Sequence, residues 1–130
     1  MTDRIKVGVV SSHVDTVTGI CNYLEGRGFK SSWVYNNNEV IDLCKREDPD
    51  VVIINVSEER PEGFNVAAEI SDKKVIFMSA DDLEERARKV KNFAGFIKKP
   101  VDLEDVVEKV KSIFKSRKAG KEKKHILVIL

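Results

Sequence analysis

The sequence predicts an α/β fold with a doubly wound parallel sheet. Short apolar runs alternate with segments of helical period, as strand then helix five times, across most of the 130 residues. Strands that alternate with helices favour a parallel sheet covered on both faces. Right-handed crossovers leave few topologies for such a sheet, and the doubly wound one is the simplest.

The first half of the chain contains two of these strand–helix units. The run IKVGVV (residues 5–10) predicts a buried strand. Apolar residues then recur at spacings of three and four from Val14 to Leu24, which predicts a helix that the glycines at positions 26 and 28 end. The more polar run FKSSWVY (residues 29–35) predicts a strand nearer a sheet edge, and Asn37 or Asn38 is predicted to cap the second helix.

The second half repeats the pattern three times. VVIIN (residues 51–55), KKVIFMS (residues 73–79) and GFIKK (residues 95–99) predict the remaining strands. We expect a short third helix over residues 64–70. A fourth is expected over residues 81–92, where early acids and late bases suit the helix dipole. The last helix is predicted to begin near Asp102.

The C-terminus carries an unexpected apolar run, HILVIL, after a basic stretch. We expect a domain over residues 1–116, a basic linker over 117–123 and an extra strand over 124–130. A free apolar run of this kind would promote aggregation, so the extra strand is expected to pair with a sheet edge of its own chain or of a second copy in a homodimer. Alternatively, it begins a following domain.

Composition excludes several classes of protein. Charged residues make up 35% of the chain, but their signs nearly cancel at net +1, unlike a dedicated nucleic-acid binder. No signal peptide and no apolar run long enough to span a membrane is present in the sequence. Cys21 and Cys44 fall on apolar helix stripes and read as core residues. We expect a cytoplasmic protein with no cofactor, no nucleic-acid partner and no membrane contact.

Sites in doubly wound sheets form beyond the carboxyl ends of the strands. The segments that follow the predicted strands are therefore the ones to compare with known sites. They are Ser11–Ser12–His13, Asn55–Ser57, Ser79–Ala80 and Lys98–Lys99–Pro100.

These segments carry a family likeness. With KVGVVSSH, PDVVIINV, VIFMSA and GFIKKP in this order, the chain from about Ile5 to Lys115 resembles the receiver domain of two-component response regulators. The resemblance implies a flavodoxin-like five-stranded sheet of order 2-1-3-4-5 and a cis peptide bond before Pro100. It also implies that Gly63 stands where the family often keeps a glycine.

The resemblance further implies the roles of the site residues. The family's phosphorylated aspartate falls on Asn55, and its acidic pair falls on Ser11 and Ser12. Ser79 and Lys99 match the hydroxyl and lysine that receivers keep in the pocket. Phe96 matches the aromatic residue that receivers use as a rotameric switch. The alternative is that the Phe96 ring is static and half-buried.

The substitutions decide the expected chemistry. An amide is no competent nucleophile, and two neutral hydroxyls bind Mg²⁺ poorly, since this hard cation commonly takes carboxylate ligands. We therefore predict a non-phosphorylatable pseudo-receiver that holds no metal and is not an enzyme. Lys99 is expected to donate to the Asn55 side-chain oxygen, to the Ser11 hydroxyl or to backbone carbonyls. The partner is expected to be another signalling protein, bound through about Asp81–Lys115.

Two alternatives stay open. In the first alternative, the domain is still switched by phosphorylation, at a non-standard residue such as Asp15 or Ser57. In the second, it is a domain of the same fold that binds a small ligand. A ligand role is weakened by the lack of a glycine-rich phosphate turn after the first strand. His13 lies next to the predicted pocket, and a surface or packing role is favoured for it over metal binding.

Overall fold

Five strands and five helices alternate in a computed structural model that describes residues 4–114. A single 3-10 turn, Asn37–Glu39, precedes the second helix. The strands are β1 (Lys6–Val10), β2 (Lys30–Val34), β3 (Val51–Asn55), β4 (Lys74–Ser79) and β5 (Phe93–Lys98), and the helices are α1 (Val14–Gly26), α2 (Val40–Glu47), α3 (Glu62–Glu69), α4 (Glu84–Arg88) and α5 (residues 103–114).

All strand pairs are parallel, and the strand order is β2-β1-β3-β4-β5. This confirms the doubly wound, flavodoxin-like topology. The polar strand β2 lies at one edge, as its composition predicts, and the fully buried β3 lies in the centre. Because the strands run in one direction, their carboxyl ends all meet at the same edge of the sheet, where the site residues lie.

The sheet separates two hydrophobic cores. One face packs against α1 and α5, which bury Ile20, Leu24 and Val107 completely or nearly so. The other packs against α2, α3 and α4, with Leu43 and Phe64 among the buried residues.

The two cysteines follow this division. Cys21 lies in the first core, and Cys44 packs against the second. Both thiols are free. The prediction that both side chains pack in the core is therefore confirmed, with Cys21 buried and Cys44 partly buried on the opposite face of the sheet.

The fourth helix is much shorter than predicted. It covers only Glu84–Arg88, not residues 81–92. The segment is thin in apolar residues. Leu83 and Ala87 are buried in the core and Val90 is only partly buried against it, so little apolar surface would hold a longer helix on the sheet. The charge pattern suited a helix dipole, but it could not supply that packing.

Smaller corrections concern element ends. The second helix has no side-chain cap from Asn37 or Asn38, because both residues lie within the 3-10 turn. The third helix begins at Glu62, two residues before the predicted start, and β5 begins at Phe93, also two residues early. Ends of elements are the part of a fold that local sequence patterns specify least well.

Several predictions fall outside the described residues. The basic linker, the extra strand over residues 124–130 and its pairing within one chain or in a homodimer all lie beyond residue 114. Between residues 4 and 114, no helix is long and apolar enough to cross a membrane.

Candidate functional site

A polar cleft of about 740 Å³ opens at the carboxyl edge of the sheet. It brings together Ser11 and Ser12 after β1, Asn55 at the end of β3, and Lys99 after β5. These are four of the five residues that the family resemblance placed in a common pocket, and the fifth, Ser79, is not a lining residue. The other lining residues come from β1 and the segment after it, from the segments after β2, β3 and β4, and from the start of α3, namely Val10, His13, Tyr35, Asn36, Asn37, Asn38, Val56, Ser57, Glu59, Arg60, Glu62 and Ala80.

Ser11 forms the inner wall of the cleft at the end of β1. Its backbone N–H donates to Val34 O (3.3 Å), which extends the pairing of β1 and β2, and the residue is only 3% exposed. Its Oγ accepts a hydrogen bond from the backbone N–H of His13 (3.2 Å) and so starts the turn into α1. Ser12 and His13 are exposed, in agreement with a surface role for the histidine.

Asn55 ends the central strand and is partly buried. Its Oδ1 is inaccessible to water and accepts no hydrogen bond within residues 4–114. The backbone around it is well fixed, because the N–H of the next residue, Val56, donates to Met78 O (2.9 Å). The side-chain oxygen is therefore held in place without a donor, which is costly for a buried acceptor.

Lys99 does not make the contacts that we expected. Within the described residues its ammonium forms no ion pair and no hydrogen bond, with Asn55, Ser11 or any carbonyl. Burial lowers the pKa of Lys99 below its usual value, since a charged amine loses solvation there. The backbone is nevertheless anchored, because Lys99 N–H donates to Ser79 O (2.9 Å).

The neighbour of Lys99 behaves differently. The Lys98 ammonium lies 2.6 Å from an oxygen of the exposed Asp82 carboxylate. Adjacent residues of an extended chain point to opposite sides, so only the second lysine reaches the cleft. The peptide bond from Lys99 to Pro100 is cis, as the family resemblance implies.

Ser79 is fully buried beside the cleft rather than in it. Its Oγ accepts a hydrogen bond from the Asp81 N–H (3.0 Å), so the serine stabilises a local turn and does not cap α4, which begins later. Asp81 in turn accepts a hydrogen bond through Oδ2 from the Glu58 N–H (2.9 Å). This bridge between the loops after β3 and β4 escaped the sequence analysis, because 23 residues separate its partners.

Phe96 is buried, with 9% of its surface exposed, and belongs to the core on the α2, α3 and α4 face. The prediction of a half-buried ring is therefore wrong, because the Phe96 side chain is buried more deeply. Its register partner Phe77 on β4 is fully buried. Both rings belong to the core on this face, and that packing accounts for the deep burial of Phe96 although β5 is an edge strand.

Two acidic residues line the cleft that the sequence analysis did not place there. Glu59 and Glu62 lie in the loop after β3 and in the first turn of α3, and both are exposed. The loop makes a tight turn in which Ser57 and Arg60 exchange backbone hydrogen bonds of 3.2 and 3.3 Å. This turn brings Glu59 and Glu62 back to the cleft. Loss of the family's acidic residues at the strand ends therefore does not leave the cleft free of acidic side chains, because Glu59 and Glu62 lie at its mouth.

The donor set of the cleft does not fit Mg²⁺. Receivers supply carboxylates, whereas this cleft supplies two serine hydroxyls and an amide in the corresponding positions. Among residues 4–114, no three His, Cys, Asp or Glu side chains lie close enough together to hold a metal ion. Asp15 does not compensate, because it is exposed in the first turn of α1 and is not a lining residue.

Comparison with known proteins identifies the family likeness directly. Residues 7–111 match the family described as response regulator receiver domain. A response regulator from Thermotoga maritima is 30% identical, with a TM-score of 0.73, and the match covers 87% of this chain and 99% of that one. A CheY-like receiver domain protein from Methanospirillum hungatei JF-1 has the same fold at 16% identity, with a TM-score of 0.79 over 91% of this chain and 99% of that one.

The chain is also similar to part of a longer protein. The transcriptional regulatory protein YxdJ of Bacillus subtilis (strain 168) is 29% identical over 112 residues, which are 82% of this chain and 49% of that protein. The chain thus spans about half the length of this curated relative.

Proposed function

Because the chain belongs to the response regulator receiver family, we propose that it is a pseudo-receiver, a domain that keeps the receiver fold without being phosphorylated at the family position. We place it in the cytoplasm, as a binding module of two-component signalling with no reaction of its own. The observation that carries this proposal is the amide of Asn55 at the end of β3. An amide nitrogen is delocalised and cannot attack a phosphoryl group as a carboxylate does.

Electrostatics supports the same conclusion. Phosphoryl transfer depends on a metal ion that neutralises the developing charge. Ser11 and Ser12 offer neutral oxygens only, and among residues 4–114 no third His, Cys, Asp or Glu joins the exposed Glu59 and Glu62 in a metal-binding group. Lys99, which has no counter-ion within the described residues, would repel a divalent cation further.

The proposed work of the domain is to bind another signalling protein through about Asp81–Lys115. Exposed side chains of both signs cluster on α4 and its flanks, which favours specificity of docking over raw affinity. Reversing the charge of Arg88 should abolish capture of a partner from native lysate, and reversing the charge of Arg46 on α2 should not. Equal capture by the two variants would remove this surface from the proposal.

The loss of phosphorylation is tested with acetyl phosphate and Mg²⁺, read by intact mass. We expect no mass gain for the native chain. The triple variant Ser11→Asp, Ser12→Asp, Asn55→Asp should gain one phosphate and serves as the positive control. A phosphate on the native chain, at Asp15, Ser57 or elsewhere, would contradict the proposal and favour a switch at a non-standard residue.

A further inference from the structure

Lys99 differs from Lys73 and Lys109, two other partly buried lysines of the described chain. Lys73 pairs with Asp48, and Lys109 lies 2.9 Å from Asp105. Lys99 is also partly buried, yet no carboxylate or hydrogen-bond acceptor within residues 4–114 contacts its ammonium. A partly desolvated cation without a counter-charge is unfavourable, and an anion from solution would supply that charge.

The wall around this ammonium offers hydrogen-bond donors. The Ser11 hydroxyl accepts from His13 N–H but donates to no acceptor among the described residues, so its proton is available. Because Asn55 Oδ1 is inaccessible, the amide NH₂ is the polar end of that side chain that remains for a ligand. Asn36, Asn37 and Asn38 line the same cleft and add further amide groups.

The acidic residues of the cleft do not neutralise Lys99. Glu59 and Glu62 are exposed at the mouth, and neither lies within ion-pair distance of the lysine. Arg60 stands between them in sequence and also lines the cleft. Charges in water are screened over roughly 10 Å, whereas the partly buried ammonium keeps more of its field. The inner part of the cleft is therefore cationic, although the lining as a whole is balanced.

We propose that this cleft reversibly binds the oxyanion group of a small molecule, a carboxylate or a phosphate, without metal and without a covalent bond. Lys99 is the counter-charge, and the Ser11 hydroxyl and the Asn55 amide are the donors. The volume of about 740 Å³ exceeds that of a bare anion and lies in the range of small-molecule sites, which indicates an organic anion. The inference rests on the proposed loss of phosphorylation at the same position.

The test is a titration of the ¹⁵N-labelled full chain, in the presence of EDTA, with sodium acetate and separately with inorganic phosphate. Sodium chloride of equal ionic strength is the reference, because screening alone shifts signals of charged surfaces. We expect saturable shifts at Ser11, Asn55 and Lys99, with a Kd in the millimolar range or tighter. Saturation with acetate alone identifies a carboxylate ligand, and saturation with phosphate alone identifies a phosphate ligand.

Matched variants locate the site. Lys99→Met should weaken binding about tenfold or more, as expected for loss of a charged hydrogen bond. The neighbouring Lys98→Met, which removes an exposed lysine, should leave the affinity unchanged. Asn55→Asp, which changes one atom of the side chain, should also weaken binding, and it gives the answer if Lys99→Met does not fold.

Two results would overturn the inference. One is the absence of saturable shifts with both anions, and the other is unchanged affinity in both Lys99→Met and Asn55→Asp. The outcome is independent of the acetyl phosphate experiment, in which a covalent phosphate would instead refute the pseudo-receiver. Failure of one proposal is thus distinguishable from failure of the other.

Discussion

Among the glycines of the described chain, Gly63 has the least room for a side chain. A Cβ at this position would lie 2.6 Å from Val56 Cγ1 and 2.7 Å from Ile54 Cγ2, the two side chains that flank Asn55 on the chain. Such distances force neighbouring atoms to move. The glycine therefore lets α3 pack directly against the strand that carries the site.

Gly63→Ala should lower the free energy of unfolding by about 1–3 kcal/mol, because overpacking outweighs the helix propensity gained. Gly19→Ala is the matched control, since nothing lies within 4 Å of a Cβ at that position of α1. The control should raise stability by up to about 1 kcal/mol. Urea unfolding measures both, and a neutral Gly63→Ala would refute the close packing.

Lys99 makes stability depend on pH in a definite direction. Burial lowers the pKa of Lys99 in the folded state below its ordinary value of 10.5, so the unfolded chain holds this proton more tightly. Between the pKa of Lys99 in the folded chain and its ordinary value in the unfolded chain, the contribution of this group to the free energy of unfolding rises with pH. The contribution is complete above the ordinary value and is lost as the pH falls through the lowered pKa.

Lys99→Met should therefore be more stable than the native chain at neutral pH, and its advantage should shrink as the pH approaches 10.5. The difference between the two urea unfolding curves, measured from neutral pH to that value, isolates this residue from other titrating groups. An advantage that is constant or grows with pH would contradict the burial of an unpaired ammonium.

Individual site residues were predictable where a strand end fixes them. Ser11, Ser12, Asn55 and Lys99 do meet in one cleft, since parallel strands end at a common edge. Their hydrogen bonds were not predictable, because a shift of an ångström decides whether Lys99 meets an acceptor. The places of Glu59 and Glu62 depend on the path of a loop that no periodicity encodes.

At the scale of elements, the pattern of apolar residues predicted which segments pack as strands and helices, and the pattern of charges did not. The buried runs of β3 and β4 were located to within one residue of their ends. The fourth helix failed because acids and bases suited to a dipole contribute only about 0.3–1 kcal/mol each. They do not replace the core contacts that hold a helix on a sheet.

Asn92 joins two elements through one side chain. It is 7% exposed, and its Nδ2 donates to the carbonyls of Ala67, Ile70 and Lys73 at 3.0, 3.1 and 2.9 Å. These carbonyls belong to the end of α3 and to the turn before β4, where helical partners run out. The side chain thus fixes the exit of α3 against the start of β5.

Asn92→Ala should lower the free energy of unfolding by about 1–3 kcal/mol, because three carbonyls lose the hydrogen bond from this side chain, although Ala67 O and Ile70 O keep one from a backbone N–H. Asn92→Asp should cost more, since an acceptor-only carboxylate would then face three carbonyl oxygens. Asn65→Ala, on the exposed side of α3, should stay within about 0.5 kcal/mol and is the control. Equal effects of the Ala and Asp variants in urea unfolding would contradict the donor role.

For the whole molecule, the two cores set the minimum length of a stable chain. The α5 residues Val106, Val107 and Val110 are at most 1% exposed and close the core on the α1 face. A chain that ends before this helix would leave that core open to water, at a cost of roughly 25 cal/mol per Å² of apolar surface. Within the described residues 4–114, the sheet is covered by helices on both faces.

A chain truncated after residue 116 should therefore keep its unfolding temperature within about 4 °C of the full chain, a shift that corresponds to roughly 1 kcal/mol or less. Its association state is the sharper readout for the predicted pairing of residues 124–130. If that segment adds to a sheet edge of a second copy, light scattering behind size-exclusion chromatography should report a dimer for the full chain and a monomer for the truncated one. If the full chain and the truncated chain are both monomers, the homodimer is eliminated, because the segment then joins no two copies.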